Sequence, residues 1–176
     1  MKKILIVLLF VSTKIFAQQT IENEYSTFII PNGLINVSKN LKKNTIQNQE
    51  NLINLFGSKS LIKNQFTSNS IIKFLVYNEA ELIVKHDYLE ARKKMFDEMA
   101  IYQGKKMGGY SSVIKTYKNK SILILKNEIN EYISFAIFSV NNSYDKVLNS
   151  TIVILKADSV EGSKEVEKCI NSIQFK

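Results

Sequence analysis

Residues 112–156 read SVIKTYKNKSILILKNEINEYISFAIFSVNNSYDKVLNSTIVILK, and this stretch decides the fold. It alternates runs rich in Ile, Val, Leu, Phe and Tyr with short polar breaks. The run 112–117 leads into a tight turn at Lys118-Asn119-Lys120, and 121–126 returns. Residues 127–130 turn again, 132–140 form the longest run, and 147–156 follow the loop around Asn141-Asn142-Ser143. β-Branched and aromatic side chains fit a pleated, half-buried surface, so each run is read as a strand. Breaks this short reach only an antiparallel neighbour, because a parallel return needs a crossover of about a dozen residues or more. Within 132–140, Phe135 is opposite in phase to Tyr132 and Phe138, so both faces are apolar, as for a strand covered on both sides by helices.

Ahead of this meander, Asp87-Tyr88-Leu89-Glu90 has the spacing of a capping box, in which Asp87 accepts from first-turn N–H groups and Glu90 reaches back. Tyr88, Ala91, Met95, Phe96, Met99 and Tyr102 then recur at helical spacing, with Arg92, Lys93, Lys94, Asp97 and Glu98 mostly opposite. Gly104 is placed to end the helix in a left-handed conformation, which predicts a helix over 87–103. Residues 71–77 read as a strand. Asn78-Glu79 either turn into a second strand through Leu82, Ile83 and Val84 or begin the helix early. Residues 27–30 form a first short strand, Pro31-Asn32-Gly33 turns the chain, and 34–37 resumes an extended run. Residues 39–70 are polar and Asn-rich; Leu52, Ile53, Leu55 and Phe56 suggest helical turns ending at Gly57, or the segment lies as a loop over the sheet. After the meander, Val166, Cys169, Ile170 and Ile173 mark an amphipathic closing helix, capped by Asp158 or Ser163. Strands, a helix, a meander and a final helix make an α+β domain, a mostly antiparallel sheet flanked by helices.

This layout resembles the PsbP/Mog1-like family of small α/β/α sandwiches. The resemblance is carried by Phe28-Ile29-Ile30-Pro31-Asn32-Gly33, by the hairpin with Asn119-Lys120 at its tip, and by the closing helix running into Ser172-Ile173-Gln174-Phe175. It spans most of 26–176; the Trp that often follows the opening turn in such proteins is replaced by Leu34. It implies an antiparallel sheet flanked by helices and assigns no catalytic residue.

The first residues are read as an export signal and excluded from the fold. Met1-Lys2-Lys3 is a cationic start, 4–11 is an uninterrupted apolar run, and Ala17-Gln18 offers a small residue before a cut. The apolar run is too short to cross about 30 Å of hydrocarbon, and Lys14 interrupts its extension. Residues 1–17 are thus expected to leave as a signal peptide, and 18–176 to form a single α+β domain in the periplasm or secreted medium, with no membrane span. The formal charge of +8 loses Lys2, Lys3 and Lys14, leaving +5 on the mature side chains. Export argues against nucleic acid as the target of this excess, and a solvated lysine-rich surface accounts for it.

The single cysteine, Cys169, excludes an internal disulfide and is read as a small apolar side chain on the closing helix. The single histidine, His86, precedes Asp87; neighbours on a strand end point to opposite faces, so the pair does not cooperate as a base or a metal ligand. One His and one Cys do not make a zinc site, and no EF-hand loop exists. Gly104-Lys105-Lys106-Met107-Gly108-Gly109 follows a helix where a phosphate loop would open one. Asp158-Ser159-Val160 resembles the acidic-Ser-apolar signal that some bacteria glycosylate on exported proteins. No cofactor, no metal and no catalytic residue are assigned. The expected role is a non-catalytic interaction module docking on another envelope or secreted protein. The alternatives are a carrier of a small apolar ligand between sheet and helices, and a hydrolase using acids such as Glu79, Glu81, Asp97 or Glu98.

Overall fold

A computed structural model describes residues 18–31, 33–36, 64–67, 71–102 and 109–176. In chain order the elements are β1 (Gln18–Glu22), β2 (Ser26–Pro31), β3 (Ile35–Asn36), β4 (Gln65–Thr67), β5 (Ile72–Glu81), α1 (Tyr88–Tyr102), β6 (Ser111–Thr116), β7 (Lys120–Ile129), β8 (Tyr132–Asn141), β9 (Lys146–Leu155), α2 (Ser159–Ser172) and β10 (Gln174–Phe175). A 3-10 turn, Lys156–Asp158, leads into α2.

The meander forms as its polar breaks dictate, with β6, β7, β8 and β9 pairing antiparallel in sequence order. The β7–β8 hairpin is tighter than the break at 127–130 indicated. Ile129 already pairs with Tyr132, so only Asn130 and Glu131 turn, and Asn130 takes φ 54. Asn tolerates this left-handed conformation because its short polar side chain bonds locally. The strand pairing continues beyond the meander: β5 joins β9, β4 joins β5 and β3 joins β4, giving a seven-stranded antiparallel sheet in the order β3-β4-β5-β9-β8-β7-β6. A second sheet, β1-β2-β10, packs beside it.

Several local expectations are corrected. Asn78 and Glu79 do not turn; β5 runs through them, pairing Asn78 with Asn149 and Glu79 with Leu148. An available partner strand outweighs the weak strand propensity of Asn and Glu. The extended path then continues past Glu81, where Leu82 N–H donates to the Asp145 carbonyl at 2.8 Å and Val84 N–H to the Tyr144 carbonyl at 2.8 Å. Residues 18–22 form an additional edge strand on β2, with Ile21 opposite Phe28. Phe66 and its neighbours supply another short strand inside the polar segment. Asp158 stands at the N-cap position of α2 but makes no side-chain cap bond, and Ser163 lies within the helix. The Asp87 carbonyl accepts from Ala91 N–H at 2.8 Å, while no bond between the Asp87 and Glu90 side chains and the first turn occurs among the described residues. The signal peptide and the cut after Ala17, the helical turns at 52–57 and the Gly104 cap lie outside the described residues.

The sheet is covered on both faces, making an α/β/α sandwich. One face carries α2 and the small sheet. Ile30, Leu75, Ile122, Ile137, Ile152 and Ile154 are buried there against Val166, Cys169, Ile170 and Ile173. The other face meets α1 through Leu89, Leu123, Leu125, Val140 and Val147, with Phe96 and Phe138 alongside. The two sides of β8 therefore divide as its phase requires, Phe135 toward α2 and Phe138 toward α1. Gly162 allows the close seating of α2: a Cβ at that position would lie 2.6 Å from Ile154 Cδ1.

Polar links tie the small sheet to the large one. Ser26 Oγ donates to Glu79 Oε2 at 2.6 Å, Tyr25 N–H donates to Glu79 Oε1 at 3.3 Å, and Tyr77 OH donates to Asn23 Oδ1 at 2.9 Å. The aromatic edge of Phe28 meets Tyr77 with ring centroids 5.0 Å apart.

Candidate docking groove

The rotation of α1 creates the groove. Of the expected apolar line Tyr88, Ala91, Met95, Phe96, Met99 and Tyr102, Tyr88 and Phe96 pack against the core, and Ala91, Met95, Met99 and Tyr102 do not. Leu89, Arg92 and Asp97, from outside that line, join Phe96 against the sheet. Three anchors set this angle. Phe96 stacks on Phe138 of β8 at 5.7 Å. The Arg92 guanidinium carbon lies over both the Phe138 and the Tyr88 ring, 4.7 Å from each centroid. Asp97 accepts from Lys93 Nζ at 2.6 Å, Tyr110 OH at 2.7 Å and Ser112 Oγ at 2.6 Å, pinning the helix to the start of β6. Arg and Asp at these positions carry long or bonded side chains that pack as well as apolar ones, which hydrophobic periodicity does not register.

The displaced line is left in solvent. Among the described residues the exposed large hydrophobic side chains are Leu82, Ile83, Met95, Met99, Ile101, Tyr102, Val113 and Val160, and the first six cluster in 82–102. Ile83 is 87% and Tyr102 94% exposed, so these are not partly covered core residues. Of these, Met95 lines an open groove of about 440 Å³ between the 84–87 segment and α1, whose apolar wall is Val84, Tyr88, Ala91 and Met95 and whose polar rim is Lys85, Asp87 and Arg92. Contiguous exposed apolar surface of this kind marks an interaction site more often than isolated apolar residues do.

The residues best suited to chemistry are placed elsewhere or occupied. His86 is exposed, with its ring 4.6 Å from the Tyr144 ring in an edge-to-face contact. Cys169 is buried in the α2 core, and burial pushes its thiol up to about 12. The Lys93 ammonium, then the Ser112 and Tyr110 hydroxyls, hold the Asp97 carboxyl at about 2, and burial together with Asp97 raises Tyr110 to about 12. A carboxyl ionised down to that range does not serve as a general acid near neutral pH. Glu79 is occupied by Ser26 and Tyr25, and Glu98 lies 4.0 Å from Lys94 on the exposed side of α1. Glu81 is exposed at the end of β5. Among the described residues no three His, Cys, Asp or Glu side chains cluster as metal ligands. Among the described residues no helix is long and apolar enough to cross a membrane.

What the sequence reading missed is the outward stripe. The signal available was Leu89, an apolar residue outside the chosen line and seven residues before Phe96.

No family model and no curated protein matches the chain. Solved structures do. The solution structure of cyanobacterial PsbP (CyanoP) from Synechocystis sp. is 12% identical, with 94% of this chain and 96% of that chain covered at a TM-score of 0.56. The crystal structure of the Saccharomyces cerevisiae Ran-binding protein Mog1p is 10% identical, with 90% and 95% covered at a TM-score of 0.48. The fold is PsbP/Mog1-like.

Proposed function

We propose that this chain, a PsbP/Mog1-like sandwich, is an exported interaction module that docks another envelope or secreted protein on the groove between the 84–87 segment and α1. The observation that carries this reading is the exposed line Ala91, Met95, Met99 and Tyr102, of which Ala91 and Met95 line the groove with Val84. Leaving such side chains in water forgoes about 25 cal/mol for each Å² that burial would hide, and a partner recovers it. A small-molecule carrier instead needs an enclosed apolar cavity. The space between the sheet and α2 is filled by Ile122, Ile152, Ile154, Val166 and Ile170, all buried. Of the acids offered for hydrolysis, Glu79, Asp97 and Glu98 are engaged in separate salt links and hydrogen bonds, which supports a surface role over a chemical one.

The test is site-specific photo-crosslinking in living cells. A benzophenone side chain placed at Met95 or Met99 should yield one adduct of defined mass; at the exposed Lys164 on α2 it should not. Absence of an adduct at both positions, or equal yields at Lys164, sinks the reading. Export is tested separately by intact mass of the secreted chain, which should begin at Gln18. A mass retaining residues 1–17 refutes processing.

A further inference from the structure

We infer that the occupant of the groove is an acidic segment of a partner protein, an apolar side chain seated on Val84, Ala91 and Met95 with a nearby carboxylate paired to the Arg92 guanidinium. This rests on the docking reading above and adds the partner's chemistry to it.

Arg92 carries the inference. Its guanidinium carbon lies over both the Tyr88 and the Phe138 ring, 4.7 Å from each centroid. Two cation–π contacts hold the group in place without using its hydrogen-bond donors. Yet among the described residues no carboxylate pairs with it; the six ion pairs engage other side chains. Arg92 Nε is buried without a hydrogen-bond partner. The part-exposed remainder of the guanidinium, on the groove lining, is the donor set that a ligand can reach. Neighbouring cations are treated differently: Lys93 is spent on Asp97 and Lys94 faces Glu98. Lys85, on the rim, has no ion pair among the described residues, while Asp87 is the one carboxylate lining the groove. The rim is thus net basic beside an apolar wall. That arrangement matches an apolar anchor flanked by acid, and a planar fork takes a carboxylate in two parallel hydrogen bonds.

Charge also selects against the other occupants. The chain's own segment 37–64 contains five lysines and one glutamate, and 103–108 contains two lysines and no acid. A second copy of the mature chain brings a side-chain charge of +5 with it. An anionic membrane would be met by a broad field of several free cations, whereas this rim offers two with an aspartate between them.

The test pans a random peptide display library against the full chain as exported, then measures a synthetic peptide of the enriched sequence by fluorescence anisotropy. The expected result is enrichment of sequences pairing Asp or Glu with a Leu, Ile, Met or Phe close by. Arg92→Gln should weaken that peptide about tenfold or more, the scale of a lost charge-assisted pair. Lys85→Glu should weaken it less, and Met95→Asp should abolish binding. If Arg92→Gln fails to fold, the exposed Lys85→Glu change carries the charge test. Peptides that bind, are lost in Met95→Asp, lack acidic residues and ignore both charge variants overturn the acidic occupant and leave the docking groove standing. Peptides unaffected by Met95→Asp, or no enrichment at all, overturn both. Binding to phosphatidylglycerol vesicles that depends on Arg92, with no peptide enriched, replaces the protein partner by a membrane.

Discussion

The Lys120 ammonium occupies the C-terminal end of α2, donating to the carbonyl of Asn171 at 3.0 Å. It also donates to the carbonyls of Ile170 at 3.1 Å and Ile173 at 2.5 Å, while the residue is only 2% exposed. The last carbonyls of a helix have no partner within it and carry partial negative charge, so a buried cation satisfies three acceptors at once. The first residue of β7 thereby closes the C-terminal end of α2. Lys120→Met should remove all three bonds and destabilise by about 2–3 kcal/mol, read as a shift in the urea midpoint with unchanged slope. An unaltered midpoint would show that water replaces the ammonium without loss.

Burial lowers the Lys120 pKa to about 8 from the ordinary 10.5. The native state therefore gives up this proton before the unfolded chain does. Between those two values the unfolded chain binds more protons, so the contribution of Lys120 to stability rises with pH across that window and falls as pH drops through about 8. Urea melts of the parent and Lys120→Met at neutral pH and near pH 10 should show the gap widening in favour of the parent. A constant gap contradicts the depressed value.

Asp97 behaves in the opposite pH range. Its carboxyl is depressed from 3.8 to about 2, chiefly by the Lys93 ammonium and then by Ser112 and Tyr110. A depressed carboxyl contributes stability that is present above its unfolded value and lost as pH falls through the folded one, here from about 3.8 toward 2. The side chain is 33% exposed, so solvent screens the pair and Asp97→Asn should cost only about 1 kcal/mol at pH 7. The difference between parent and variant should shrink toward zero near pH 2. A difference independent of pH would mean that shape, and not charge, holds α1 to β6.

Cys169 should be silent in the native state. The thiolate is the reactive form, and burial pushes this thiol up to about 12. A disulfide-exchange reagent should label it only at the rate of unfolding, reaching full labelling in denaturant. Rapid labelling of the folded chain would require α2 to open locally.

Gly162 should resist its smallest replacement. In an exposed helix interior Gly→Ala gains about 1 kcal/mol. Here the new methyl meets Ile154 Cδ1 at 2.6 Å and Cβ at 3.1 Å, and Ile154 is fully buried. Overpacking of this kind costs about 1–3 kcal/mol, so Gly162→Ala should be net destabilising by about 1 kcal/mol. A higher melting temperature would mean that α2 shifts outward freely.

The meander from β6 to β9 was legible in residues 112–156, because alternating apolar runs and short polar breaks permit only neighbouring antiparallel pairs. The same local physics placed the start of α1 within a residue and put Phe135 and Phe138 on opposite faces of β8. Cys169 in the core and the closing helix followed from periodicity alone. Other features depended on groups far apart in sequence. β5 runs through Asn78-Glu79 because β9 offers it a full ladder, and no local signal records a partner nearly seventy residues away. Gln18–Glu22 becomes a strand only because β2 lies beside it. The rotation of α1 was decided by Phe138, Tyr110 and Ser112, residues on other elements that hold Phe96, Arg92 and Asp97. Helical periodicity states that an apolar line exists; which part of it meets the sheet depends on the side chains waiting there. That tertiary choice turned Ala91, Met95 and Met99 outward and made the groove.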